Sequence, residues 1–232
     1  MRGTLAQARW ELRAILRNGE QLLVSFGLPV LALVALLRFP LVELPGRGAA
    51  LAGVLAMAVL SSSFTAQAIA LAFDRRWGVL RMLSTTPLGP DGLLRGKALA
   101  VVALMVGQTA LLAVLAAAMG WEGTSAAGAG LIGLFLALGT ATFVGLAVLI
   151  GGSLRAEAVL AVANLLWVLM VTAGGALLPL RDGSWLRFLP PGALGEGLRA
   201  AIQGIADPVS ALVLLAWGIA FAALARRTLR WD

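Results

Sequence analysis

The segment FDRRWGVLRMLSTTPLGPDGLLRGK, Phe73 to Lys97, carries the densest chemistry in this 232-residue chain. It holds Arg75, Arg76, Arg81, Arg95 and Lys97, and its end, GLLRGKA, has the look of a phosphate-binding loop. A nucleotide loop of that kind needs four residues between its glycines, a hydroxyl residue after the lysine to hold Mg²⁺, and a strand before it. Here three residues separate Gly92 from Gly96, Ala98 follows Lys97, and an apolar run precedes the segment. The segment therefore does not bind nucleotide, and its cations need another use.

Other chemistry is equally constrained. With no Cys, His or Tyr in the chain, disulfides, thiol nucleophiles, histidine acid–base work, triads and the common zinc sites all fall away. The acids Glu43, Asp74, Asp91, Glu122, Glu157, Asp182 and Glu196 are scattered, and none pairs with another at helical spacing inside an apolar run. Proton-coupled carriers place ionisable groups within the membrane, and this chain has none near the middle of a run. The polar residues inside the runs are milder: Ser61, Ser62, Ser63, Thr65, Gln67, Gln108, Thr109, Asn164 and Thr172. Such groups bond between helices at about 0.6–2 kcal/mol each, or line a polar pathway, for which Gln67 and Asn164 are best placed.

The elements that hold these residues follow from composition. Hydrophobic residues make up 60% of the chain and charged residues 12%, against roughly 45–50% and 25% in a soluble domain. That much apolar surface cannot be buried in one soluble core of this length, so the class is all-α integral membrane protein. Continuous rather than alternating runs exclude a transmembrane β-barrel. Six runs, at 21–39, 49–73, 98–119, 127–150, 158–180 and 209–225, approach the roughly 20 residues that a span requires. The whole chain reads as one membrane domain: an interface helix over 1–20, a six-helix body over 21–225 and a tail over 226–232. The start does not have the form of a cleavable signal peptide.

The net charge of +7 is explained by topology rather than by nucleic acid. With both termini inside, thirteen of the eighteen cations fall on the inner side, and only Arg38, Arg47, Arg181, Arg187 and Arg199 fall outside. The bias sets both ends in the cytoplasm. Within residues 1–20, Arg9, Arg13 and Arg17 form a cationic stripe beside an apolar arc, the pattern of an amphipathic helix in the lipid interface. Small residues recur every four positions at Ala58, Ser62, Ala66 and Ala70, and at Gly133, Ala137, Ala141 and Gly145, which predicts close helix contacts. Between the last two runs, residues 181–208 are too polar and too broken by Pro and Gly to span. They predict an outer-face hairpin or re-entrant element, with a short helix over 193–205 after Pro190–Pro191.

Placed on a helix, Trp77 to Ser84 put Gly78, Arg81 and Ser84 on one side and Val79, Leu80, Met82 and Leu83 on the other. Pro87 ends this helix, Gly89 to Gly92 form a turn, and Asp91 caps the helix that runs into span three. The connection is more than twenty residues long, where an ordinary connector takes only a few.

In this order the features resemble the membrane subunit of ABC-2 type exporters, the group of drug, polyketide, polysaccharide and lipid exporters. The likeness rests on the N-terminal amphipathic helix, the six spans, the Phe73–Lys97 segment with its acid-and-arginine pair, Gly, leucine-rich turn and TPL, and NLLWVLMVTAGGALLPL…WLRFLPPGALGEGLRAAI. Asp74 stands where the family often carries Glu. The resemblance implies half of a dimeric pore, homodimeric or heterodimeric, in a bacterial inner membrane. Each copy would be seated on a separate ABC ATPase subunit, two per complex, which holds the ATP and Mg²⁺; this chain itself would need no cofactor. It also implies that the helix Arg76–Thr86 couples to the ATPase through Arg76, Trp77, Gly78, Val79, Leu80, Arg81, Met82, Leu83, Thr86 and Pro87, braced by the N-terminal helix. Spans two and five would line the pathway through Ser62, Gln67, Asn164, Trp167 and Thr172.

Three alternatives stay open. A haem-exporter-type permease of cytochrome c maturation has similar length and span number, though the LLPL…LPPGALGEGLRAAI region favours the ABC-2 type. A non-transporting membrane scaffold and an intramembrane lipid-modifying enzyme are readings of another class. The enzyme would need acids or a nucleophile clustered at the membrane face, and the acids here are isolated.

Overall fold

A computed structural model describes residues 2–17, 19, 23–39, 44–79, 82, 89–181 and 183–228. Helix is the only regular structure among them, as it must be where each backbone amide has to be bonded within its own segment. The elements are α1 (Arg2–Arg17), a π-helical turn (Leu23–Gly27) continuing as α2 (Leu28–Arg38), and α3 (Arg47–Val59). A second π segment (Leu60–Thr65) joins α3 to α4 (Ala66–Arg76). Then come α5 (Gly89–Ala118), α6 (Ala126–Ser153), α7 (Ala156–Thr172), a 3₁₀ turn (Trp185–Phe188), α8 (Pro190–Ile202) and α9 (Pro208–Thr228).

The bundle is built around the rod Arg47–Arg76, whose apolar stretch is 94% buried. Every residue from Ala49 to Phe64 is buried. This is possible because small residues let neighbours come close. Gly53 meets the 173–180 segment so tightly that a methyl group in its place would lie 2.0 Å from the Leu177 carbonyl oxygen. Gly151 of α6 likewise approaches the Ala68 carbonyl oxygen, where a methyl would sit at 2.6 Å. At the α3 end, Arg47 donates to the Gly120 carbonyl at 3.1 Å, clipping the rod to the α5–α6 turn. α6 is fastened to α9 by Thr142 Oγ1, which donates to the Leu214 carbonyl at 2.9 Å.

Among the described residues, four helices, Arg47–Arg76, Ala98–Ala118, Ala126–Ser153 and Pro208–Arg227, are long and apolar enough to cross a membrane, while the apolar Ser25–Arg38 and Ala156–Thr172 are shorter. The predicted fifth span over 158–180 is cut back to Thr172. Gly174 and Gly175 break it, with Gly175 at φ +79, a conformation favourable only for glycine. The predicted 193–205 helix begins earlier, at Pro190, and ends at Ile202. Proline belongs in the first turn of a helix, where its missing N–H is not needed. Nearly all of α8 is buried against α3, α6 and α9.

Two further expectations change. The turn and Asp91 cap predicted at Gly89–Gly92 are instead the first residues of α5, again because Pro90 suits a first helical turn. Of the stripe Gly133, Ala137, Ala141 and Gly145, only Gly145 packs against another helix among the described residues, at Phe221. The other three line an open, apolar groove of about 560 Å³ between α5 and α6. The rod stripe at Ala58, Ser62, Ala66 and Ala70 is packed or half-buried.

The Gly53 contact yields a test. Gly53→Val is expected to cost about 3 kcal/mol, the upper range for overpacking, seen as a lower unfolding midpoint and loss of a monodisperse peak in detergent. Gly130→Val, which meets open space, is expected to leave both unchanged.

Candidate functional site

The Arg-rich end of the rod is held by the turn between α6 and α7. α6 stops at Ser153, and Arg155 stands before the first turn of α7, in which Glu157 lies. An acid in a first turn complements the helix dipole. Arg75 reaches across from α4 and donates to the Gly151 carbonyl at 2.8 Å and to the Leu154 carbonyl at 3.4 Å, so it satisfies carbonyls that the end of α6 leaves open. Arg76 pairs with Glu157. Both members of that pair are more than half exposed, which limits its worth to about 1 kcal/mol or less. Its importance is geometric, since it ties the last turn of α4 to the first turn of α7.

Beyond Arg76 the rod breaks. Trp77 is a turn residue, 70% exposed and packed on Phe73 with ring centroids 5.2 Å apart. Gly78 takes φ +72, and helical backbone resumes with Met82 N–H donating to the Gly78 carbonyl at 3.0 Å. The predicted helix over Arg76–Thr86 therefore does not start at Arg76. Arg76 and Trp77 close the preceding helix, and the left-handed glycine separates them from the next helical turn. Val79 is half-buried and Met82 exposed, while Leu80, Arg81, Leu83, Thr86 and Pro87 lie outside the described residues.

α1 exposes Arg9, Arg13 and Arg17 and packs its Gln7–Ala8 face on the start of α5. There the absence of a side chain at Gly96 makes room for Gln7. The stripe thus points away from the protein while the helix is braced from the side.

A second polar region lies midway along the rod. Ser61 Oγ donates to the Met57 carbonyl at 2.9 Å and accepts the indole N–H of Trp167 at 2.9 Å. Ser62 Oγ donates to Gln108 Oε1 at 3.2 Å, and Gln108 Nε2 donates to the Ser25 carbonyl. Gln67 donates to the Ser62 carbonyl at 3.4 Å. Ser62 is wholly buried and spent on Gln108, Gln67 and Trp167 are half-buried, and Asn164 and Thr172 are exposed on α7. Thr172 bonds back to the Val168 carbonyl at 2.7 Å, and Asn164 finds no hydrogen-bond partner among the described residues. The five predicted pathway residues thus divide into an inner group on the rod, joined by Trp167, and an outer pair on the open face of α7.

Three participants were not among the predicted site residues. Gln108 was visible as a polar residue in an apolar run, but its partners were not. Arg75 was visible only as one of several cations. Arg199, predicted as an outer-surface cation, is 6% exposed. It pairs with Glu196 at 2.8 Å and donates to the carbonyls of Gly175 and Ala176. Glu196 also accepts the Leu180 N–H at 3.0 Å. Where the chain leaves α7 without helical bonds, this pair supplies the missing partners. Among the described residues no three His, Cys, Asp or Glu side chains converge on a possible metal position.

The Ser61–Trp167 bond makes a direct prediction. A double-mutant cycle of Ser61→Ala and Trp167→Phe, read as thermal unfolding in detergent, is expected to give a coupling energy of about 0.6–1.7 kcal/mol, the range for polar contacts between membrane helices. Strict additivity would remove this bond from the account.

No curated protein matches the chain. The family model for the ABC-2 type transporter matches residues 4–201, from α1 through the rod and the α6–α7 turn into the buried α8. A multi-pass apolar helical chain, with that match over most of its length, belongs to the ABC-2 type transporter family and is a membrane permease of an ABC transporter.

Proposed function

We propose that this chain is one half of the pathway of an ATP-driven exporter in a bacterial inner membrane, with six crossings and both termini in the cytoplasm. Family membership brings an ABC ATPase partner and a dimeric arrangement in general. The finer reading is that two permease copies sit on two ATPase subunits, with ATP and Mg²⁺ held by those subunits. The end of the rod and the segment after it dock on the ATPase through Arg76 to Pro87, and α1 braces this contact while Arg9, Arg13 and Arg17 face lipid headgroups.

One observation carries this reading. The end of the rod that leads into the docking segment is fastened to the end of α6 by Arg75 on the Gly151 and Leu154 carbonyls and to the start of α7 by Arg76 on Glu157. A push on the segment beyond Gly78 is therefore delivered to the α6–α7 turn. The open face of α7 carries Leu160, Asn164, Val168 and Thr172, and a mid-helix asparagine there calls for a polar partner in hydrocarbon. A second copy or a polar pathway supplies one. The apolar character of the rest of that face favours an amphipathic or apolar cargo.

Co-expression with its ATPase is expected to yield a stable complex whose phosphate release depends on this chain; failure to associate with any ABC ATPase sinks the proposal. Within that complex, Arg81→Glu with Leu83→Asp is expected to weaken ATPase binding about thirtyfold, as loss of an interface anchor worth about 2 kcal/mol does. Unchanged binding would refute the docking assignment. Arg76→Glu is expected to lower chain-dependent ATP hydrolysis severalfold, and adding Glu157→Arg to restore most of it. No recovery in the double variant would show that the tie between α4 and α7 is not what transmits the push.

A further inference from the structure

The two π segments lie against each other, and a single side chain from a third helix bridges them. Gln108 is 1% exposed, Ser25 2% and Ser62 0%. The amide of Gln108 accepts from Ser62 Oγ in the rod's π segment and donates to the Ser25 carbonyl in the π turn before α2. π segments are rare, short and energetically poorer than α-helix, and they leave carbonyls whose usual donor has moved one residue on. Here Ala66 N–H bonds back to the Ser61 carbonyl, five residues earlier, and Gln67 Nε2 reaches the Ser62 carbonyl. Ser63 Oγ and Thr65 Oγ1 are buried in the same turn with no partner among the described residues.

The two sides of this turn are held very differently. α3 is buried along its length, locked at Gly53 and clipped by Arg47. α4 is buried on one side only and ends at the docking segment. A bend of 10° at the π turn would move Arg76 by roughly 3 Å over the eleven residues of α4 at about 1.5 Å per residue, and π turns are among the recognised sites of helix kinks.

We propose that Gln108 is a positioning residue for transport: its amide clamps both π segments and sets the angle between the fixed and the moving half of the rod, releasing when the ATPase closes. The proposal rests on the permease reading above and adds to it the place where the rod bends.

The test uses the permease–ATPase complex in lipid nanodiscs, with backbone hydrogen exchange at residues 60–66 measured without nucleotide and after trapping with ADP and vanadate. In the wild type, exchange there is expected to rise about tenfold or more on trapping, as local opening does when its bonds are released. Gln108→Met, of similar length but unable to make either bond, is expected to show the fast rate in both states while retaining complex formation and ATP hydrolysis. Ser62→Ala, which removes one bond alone, is expected to fall between. Equal exchange in the two wild-type states overturns the proposal. So does Gln108→Met with wild-type exchange, or Gln108→Met that loses the complex while Ser62→Ala behaves as wild type; this last result reduces Gln108 to a folding role. If the wild-type chain forms no ATPase complex, the permease reading falls and takes this inference with it. A complex that hydrolyses ATP with a rigid π turn overturns this inference alone.

Discussion

In hydrocarbon, a backbone carbonyl that leaves its helix has no water to turn to, and most of this structure can be understood as the supply of substitutes. Where α7 stops at Thr172, the freed carbonyls at Gly175 and Ala176 are met by the guanidinium of Arg199, and the N–H of Leu180 by Glu196. Where α6 stops, Arg75 meets Gly151 and Leu154. Where the rod and the helix before it loosen into π turns, Gln67 and Gln108 meet Ser62 and Ser25. Each irregularity is allowed because one long side chain reaches it.

These substitutes are also joints. A carbonyl bonded to its own helix moves with that helix, whereas one bonded to a side chain of another element couples the two. The rod is therefore the common member of four linkages: to the end of α6 through Arg75, to α7 through Arg76 and Trp167, to α5 through Ser62 and Gln108, and to the α5–α6 turn through Arg47. Force applied at its exposed end has defined routes into the bundle. The close approach at Gly53 packs the other end against the 173–180 segment.

Much of the class was legible in the sequence. Sixty per cent hydrophobic residues and runs near span length left little besides a helical membrane protein, and four of the six runs are long, apolar helices. The fifth run ends earlier than its hydropathy implies, because hydropathy does not register that Gly174–Gly175 turns the chain while it stays in an apolar setting. The stripe in α6 misleads for a related reason: small residues permit contact but do not supply a neighbour, and Gly133, Ala137 and Ala141 face a groove. The boundary at Arg76 is displaced because amphipathic spacing runs smoothly through Trp77 and Gly78, where a positive φ interrupts it.

By itself the sequence determined the chemical make-up of this chain: no Cys, His or Tyr, cations gathered beside apolar runs, and a long basic connection between two of those runs. Only the tertiary structure decided which polar groups find each other. Arg199 looked like a solvent-facing cation and is a buried clamp; Gln108 looked like any polar residue in a span and bridges two helices. The reason is physical. Burial by lipid follows from the composition of a local window, whereas a hydrogen bond between residues 83 positions apart, as from Gln108 to Ser25, depends on how the helices pack and on where each one fails to stay regular.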